Sequence, residues 1–457
     1  MFEKWFHLKE HNVTVKSEMA AGLTTFMTMA YILAVNPQIL SQAGTETNPF
    51  PAGGILIATA LASFVACLCM ALFSNLPFAL APGMGLNAYF TYTVCMTYHY
   101  AWQFALFAVF VEGMIFVLLS VTNVREAIFN AIPISLKQAI SAGIGLFIAF
   151  IGLQSSHLVV AGPTLVALQN FKANIHTAGI CALLCLVGVL MIAIMSHKKV
   201  KGAILFGILL TWALGMISQL VGLYIPDPEN GFFSLYPSFG TPHFAEFGQI
   251  FGQCFKLDFS QVKILDFFVI MFAFLFVDIF DTLGTLIGVA SKADMLDEQG
   301  HLPGIKGALL ADSLGTTFGA ICGTSTVTTF VESAAGVAEG GRTGLTALTT
   351  GTLFLLSMFL APIFISIPGF ATAAALIYVG YLMLTSILKV DFNDVTEAIP
   401  AYIALISMPF YYSIAEGISF GVISYVIINT ITGNSKKISA LMYVLALVFV
   451  LRYIFLV

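Results

Sequence analysis

The sequence predicts an all-α polytopic membrane protein: fourteen transmembrane segments as two inverted repeats of seven, plus an extra C-terminal hydrophobic helix. Three observations lead there. Of 457 residues, 59% are hydrophobic and 9% charged, with a mean hydropathy of +0.96, and no soluble domain could cover such a chain with polar surface. Apolar runs long enough to cross a bilayer recur along the whole length. Two of the predicted segments are broken by Pro, Gly and Thr, and they occupy corresponding places in the two halves.

Residues 1–18 alternate Lys and Glu with Trp5, Phe6 and Leu8, the pattern of an interfacial amphipathic helix, and show no cleavable signal peptide. Met19 to Val35 is the first span, and Asn36-Pro37 is expected to end it. Gly54–Phe73 is the second. The third, residues 75–96, opens N-L-P-F-A-L-A-P-G-M-G-L-N-A-Y-F, where Pro77, Pro82, Gly83 and Gly85 forbid a smooth helix. Extended backbone followed by a half-helix from near Gly83 fits, and such backbone at membrane depth needs shelter inside the protein. Spans follow at Trp102–Val121, Ser135–Leu153, Ala178–Met195 and Ala203–Leu223, then a proline-bearing loop over 225–261. Phe267–Ser291 and Ile305–Ile321 precede the second broken piece, residues 322–340. Leu345–Ile365, Phe370–Ile387, Pro400–Tyr411 and Ile414–Ile431 complete the fourteen, and 438–457 is the extra segment.

Lys4, Lys9, Lys16, Arg125, Lys198, Lys199, Lys201, Lys292, Arg342, Lys389, Lys436 and Lys437 all fall on one side if each broken piece is one crossing. That places the N-terminus in the cytoplasm of a plasma (inner) membrane protein. The halves also correspond at their fifth spans, where Ile132-Pro133 precedes Gly145 and Ile367-Pro368 precedes Gly380 at the same spacing.

Chemistry concentrates where charge is costly. Asp278, Asp281, Asp312 and Glu332 lie in apolar surroundings, where an ionised side chain costs about 2.5–3.5 kcal/mol on insertion. Two half-helices meeting head to head would aim amide N–H groups at one point, and carboxylates opposite them would accept hydrogen bonds from a planar heterocycle. Asp278 and Glu332 are the central candidates, with Asp281 and Asp312 in support and all four open to proton coupling. Asn87 can donate and accept toward a base edge; Gly83 and Gly85 allow close backbone approach. Phe330, Phe90, Tyr89 and Tyr31 are candidate stacking partners. Glu339 and Arg342 suit a local ion pair. Gly315, Gly319 and Gly323, like Gly284 and Gly288, read as tight helix packing. The His and Cys residues form no ligand-spaced cluster, so neither a metal nor a disulfide framework is expected, and no basic patch points to nucleic acid. An intramembrane aspartyl protease built on Asp278 and Asp312 would need a G-x-G-D, yet A-L-L-A precedes Asp312.

Four motifs in order resemble the AzgA-like purine permeases of nucleobase cation symporter family 2. They are G-L-T-T-F-M-T-M-A-Y-I-L-A-V-N-P (22–37), A-P-G-M-G-L-N-A-Y-F (81–90), F-V-D-I-F-D-T-L-G-T-L-I-G-V-A (276–290) and G-T-S-T-V-T-T-F-V-E-S-A-A-G-V-A-E-G-G-R-T-G (323–344). The resemblance implies a uracil permease-like fold with short strands in segments 3 and 10. It implies a core domain (19–122 and 267–366) and a gate domain (123–224 and 367–433), with 1–18, 225–266 and 434–457 as N-terminal segment, outer loop and C-terminal helix. It also implies uptake of hypoxanthine, guanine or adenine with a proton as the coupling ion and no other cofactor, and no enzymatic activity. Substrate positions carry over to Gly85, Asn87, Asp278 and Glu332, with Ala88 and Phe330 beside them. Uracil, xanthine or an anion on the same fold is the alternative. Oligomeric state stays open, a homodimer included.

Overall fold

The computed structural model describes residues 2–122, 132–162, 165–237, 239–257, 263–292, 295 and 302–455. The first long helix, α2 (Val15–Met29), follows a short α1 (Phe2–Trp5) and starts at a capping box in which Thr14 and Ser17 satisfy each other's backbone amides. Of the amphipathic helix expected over 1–18, only Phe2–Trp5 and the first turn of α2 from Val15 are helical. Phe6 and Leu8 instead bury themselves against Ala71 and Leu345, because those side chains offer an apolar seat that solvent does not.

The first span also departs from expectation. Its helix breaks at Ala30–Tyr31 and resumes as α3 (Ile32–Leu40), running through Pro37 rather than stopping at Asn36-Pro37. Asn36 is buried and donates to Thr59 and Thr324, so packing overrides the local stop signal.

Then come α4 (Ala52–Phe73), β1 (Leu80–Pro82), α5 (Met84–Ala88) continuing as a widened π-helical stretch over Tyr89–Thr97, α6 (Trp102–Val121) and α7 (Ile134–Ser155). A hairpin of β2 (Val159–Gly162) and β3 (Leu165–Leu168), absent from the sequence expectations, precedes α8 (Ile180–His197) and α9 (Ala203–Leu220). The proline-bearing loop carries α10 (Phe244–Ile250). The second half holds α11 (Ile264–Lys292), α12 (Ile305–Cys322), β4 (Val327–Thr329), α13 (Ser333–Ala338), α14 (Gly344–Ser357), α15 (Ala361–Ile365), α16 (Gly369–Leu384), α17 (Val395–Phe410), α18 (Ile414–Ile431) and the additional α19 (Ala440–Phe455).

Among the described residues nine helical spans are long and apolar enough to cross a membrane. The fourteen-segment expectation counts α11, α12, α17 and the two broken segments in addition to these nine. Arg125, used to orient the chain, lies outside the described residues, as do the packing of Gly284 and Gly288 and the side chain of Lys292.

Packing follows the repeat. In one bundle α4 lies against α12 and α14, α12 against α6, and α14 against α2; in the other α7 lies against α16 and α17, α8 against α9 and α16, and α17 against α18. The glycines matched by sequence, Gly145 and Gly380, touch each other: a Cβ on either would come 2.6 or 2.4 Å from the other's carbonyl oxygen. Of the glycine ladder, Gly315 packs on Ala66 as expected. Gly323 instead ends α12 at φ +99°, a left-handed cap that favours glycine.

Two acids, Glu18 buried and Glu339 exposed, pin the ends. Glu18 accepts from the Arg342 amide (2.8 Å) and from Thr343 and Thr346, at the N-terminus of α14 where the helix dipole favours an anion. Glu339 pairs with Lys201 (2.6 Å), not with Arg342, whose guanidinium donates to the carbonyls of Val337 and Gly341. Val337 lies in the last turn of the short α13 and Gly341 beyond its end, where carbonyls have lone pairs to spare for a side-chain donor.

Candidate substrate site between two broken helices

Extended backbone on either side of a half-helix must find hydrogen bonds inside the protein, and here the two broken segments supply each other's. β1 and β4 pair antiparallel, Leu80 with Thr329, Ala81 with Thr328 and Pro82 with Val327. The ribbon is extended at both ends by Gly83 N–H to Thr326 O and Phe330 N–H to Ala79 O, each 3.0 Å. Because the strands run in opposite directions, α5 and α13 leave from opposite ends, only about 7 Å of strand apart. Gly83 is the N-cap of α5, and Glu332 is the N-cap of α13.

Around this ribbon the acids fall into two groups. Glu332 accepts a hydrogen bond from Tyr31 Oη at 2.8 Å, and Tyr31 also lies within electrostatic reach of Asp281. Asp281 accepts from Thr328 Oγ1 (3.2 Å), at the middle of β4, and its Oδ2 lies 3.2 Å from where a Cβ on Gly83 would sit. The second group is Asp278 and Asp312, both fully buried, joined through Thr282 Oγ1 at 3.0 and 2.8 Å. A hydroxyl owns one proton, so it can donate to only one of these carboxyl oxygens at a time. The other close contact is attractive when the second acid supplies the proton. This arrangement is chemically suited to holding one exchangeable proton between α11 and α12.

Asn87 is fully buried on α5; its Oδ1 takes the Ser325 hydroxyl, while Nδ2 has no hydrogen-bond partner. An unpaired buried donor costs roughly 1–3 kcal/mol, which a ligand acceptor would recover. Gly85 faces Ile144 of α7 and Ile414 of α18, where a Cβ would come 2.9 and 3.4 Å from their side chains. Ala88 and Phe330 are buried, and Tyr89 and Phe90 pack edge-on to Phe274 of α11.

Sequence reasoning gave Tyr31 a stacking role, and the structure gives it a hydrogen bond to Glu332. It passed over Thr282, although a hydroxyl four residues after Asp278 shares its helix face. It also missed Glu112, a lone acid inside an apolar span that the same insertion-cost rule flags. Glu112 is buried and accepts from Thr326.

Residues 16–420 match the permease family Xan_ur_permease. The chain belongs to this permease family. It is 47% identical to the putative permease MJ0326 of Methanocaldococcus jannaschii, covering 99% of this chain and 98% of that one. It is 40% identical to adenine permease AdeP of Escherichia coli (100% and 96% covered) and 42% identical to guanine/hypoxanthine permease PbuO of Bacillus subtilis (98% and 99% covered). In fold it is similar to the transmembrane domain of the cyanobacterial bicarbonate transporter BicA, with a TM-score of 0.64 at 15% identity over 88% of this chain and 97% of that one. This permease is a multi-pass membrane transporter and not an enzyme.

Proposed function

We propose that this permease carries purine nucleobases, hypoxanthine and guanine foremost and adenine also, across the plasma membrane together with a proton. Similarity along nearly the whole chain, at 40–42% identity, to relatives named as adenine and guanine/hypoxanthine permeases supports the substrate class. The observation that carries the site is the β1–β4 ribbon with Asp281 and Glu332 on it and the Asn87 amide beside it: acceptors for the ring and exocyclic N–H groups of a purine, and a donor for its carbonyl or ring nitrogen. Asp278 belongs to the same constellation through α11. The shared hydroxyl of Thr282 supports proton coupling through Asp278 and Asp312.

The cycle is alternating access. The bundle of α2–α6 and α11–α14 acts as a core domain that carries the site and moves against a gate bundle of α7–α9 and α16–α18. Polar links between them among the described residues include Gln38, which donates to the Ile367 carbonyl and accepts from Thr372 Oγ1, at one end, and the Lys201–Glu339 ion pair at the other. The basic residues support a cytoplasmic N-terminus.

Uptake of radiolabelled hypoxanthine, guanine, adenine, xanthine and uracil into proteoliposomes, with and without a proton gradient, tests the proposal. Uptake of the purines in that order of preference, raised by an inward proton gradient, is expected. Purine uptake no greater than in empty liposomes would sink the substrate assignment; uptake indifferent to the gradient would sink coupling alone.

A further inference from the structure

Glu112 sits midway along α6, fully buried, in a helix with no other acidic or basic residue. At a cost of about 2.5–3.5 kcal/mol on insertion, a carboxylate is a poor choice for packing alone. Its Oε2 takes the hydroxyl of Thr326 at 2.8 Å. Thr326 immediately precedes β4, and its carbonyl accepts the Gly83 amide, the N-cap of α5. One hydroxyl and one peptide group thus link α6 to the start of the first half-helix. The mount is firm: at the next residue, Gly113, a Cβ would lie 2.4 Å from Thr317 Oγ1, so α6 is pressed against α12 there.

We infer that Glu112 is a positioning residue for the substrate site. By holding Thr326 it fixes where Gly83 and α5 lie relative to β4, and so where the Asn87 amide stands with respect to Asp281. The proposal rests on the purine-site reading for its functional consequence, and on the hydrogen-bond chain for its structural one. Thr326 needs only an oxygen acceptor, which the amide of glutamine supplies as well as a carboxylate does. The role proposed for Glu112 is thus carried by its hydrogen bond and requires no proton transfer.

Four variants separate these roles: Glu112→Gln, Glu112→Leu, Thr326→Val and the Glu112→Leu/Thr326→Val double. Three measurements are made on the full-length protein: equilibrium binding of radiolabelled hypoxanthine and amide hydrogen exchange of the peptide containing 83–88 on the purified protein, and the pH profile of hypoxanthine uptake after reconstitution into liposomes. Glu112→Gln is expected within about twofold of wild type in binding and exchange, with an unchanged pH profile of uptake. Glu112→Leu and Thr326→Val each weaken binding about tenfold and speed exchange in 83–88, and the double variant is no worse than either single one, as for two ends of one interaction. Normal binding and exchange in Glu112→Leu and Thr326→Val overturn the inference. So does a Glu112→Gln variant as impaired as Glu112→Leu, or one with a shifted pH profile, since Glu112 would then act by its charge. The exchange readout needs no purine; a wild-type protein that binds none defeats the substrate reading while leaving this one to be judged by exchange.

Discussion

The two broken segments occupy equivalent places in the repeat and pair strand to strand, yet they are furnished differently. The first contributes geometry. Its glycines let the backbone close on Thr328 at Gly83 and on Ile144 at Gly85, its helix continues for nine residues as a π-helical stretch, and its polar contribution at the ribbon is one amide. The second contributes chemistry. It runs Thr324-Ser325-Thr326-Val327-Thr328-Thr329 into Glu332, and its helix ends after six residues. A helix that short is a weak dipole, and its N-cap is itself a carboxylate, so the two half-helices that the sequence leads one to expect at this point are unequal and the site is asymmetric. Inverted repetition has conserved the backbone plan and divided the labour.

Substitutions in the second segment should therefore cost the most. Glu332→Gln keeps the shape and loses the charged acceptor for Tyr31 and substrate; purine uptake is expected to fall about a hundredfold at normal membrane abundance, the scale of a charge-assisted hydrogen bond lost in a buried site. Next comes Thr282→Val, which removes one hydroxyl from between Asp278 and Asp312. Gradient-driven uptake should drop about thirtyfold while Thr282→Ser retains it, and equal transport by the Val variant would remove Thr282 from the coupling path. The first segment's role is tested by Gly85→Ala, whose new methyl meets Ile144 Cγ2: uptake should fall about tenfold and recover when Ile144→Ala is added. Failure of the second change to restore uptake would show that Gly85 serves the substrate directly and not the gate. Smallest is Asn87→Ala, expected to raise the KM for hypoxanthine about threefold to tenfold with little change in maximal rate. A larger loss for Asn87→Ala than for Glu332→Gln would break the comparison.

Much of this was legible in the chain. Hydropathy marked the spans, and the matched Ile-Pro and Gly positions identified helices that meet at Gly145 and Gly380, because close helix approach demands glycine on both sides. Pro82-Gly83 and the Thr-rich run announced broken helices, since neither sequence sustains a smooth transmembrane span. The partnerships were not legible. Asn36 reads locally as a helix stop, and only the fold shows its amide held by Thr59 and Thr324. Likewise Asp278 pairs through Thr282 with a residue of the next span, and Asp281 meets the ribbon, because which face of α11 turns inward is decided by neighbours that periodicity cannot name. The hairpin at 159–168 escaped for a related reason: its strand residues are exposed or half-buried and carry no alternating core pattern.

The central claim is that a purine and a proton move together through this site. Its most direct test is proton flux. Proteoliposomes loaded with a pH-sensitive dye, at equal pH inside and out, receive hypoxanthine externally. The account predicts internal acidification that follows purine entry, persists when the membrane potential is clamped, and is absent with Glu332→Gln. Purine entry without acidification would contradict it.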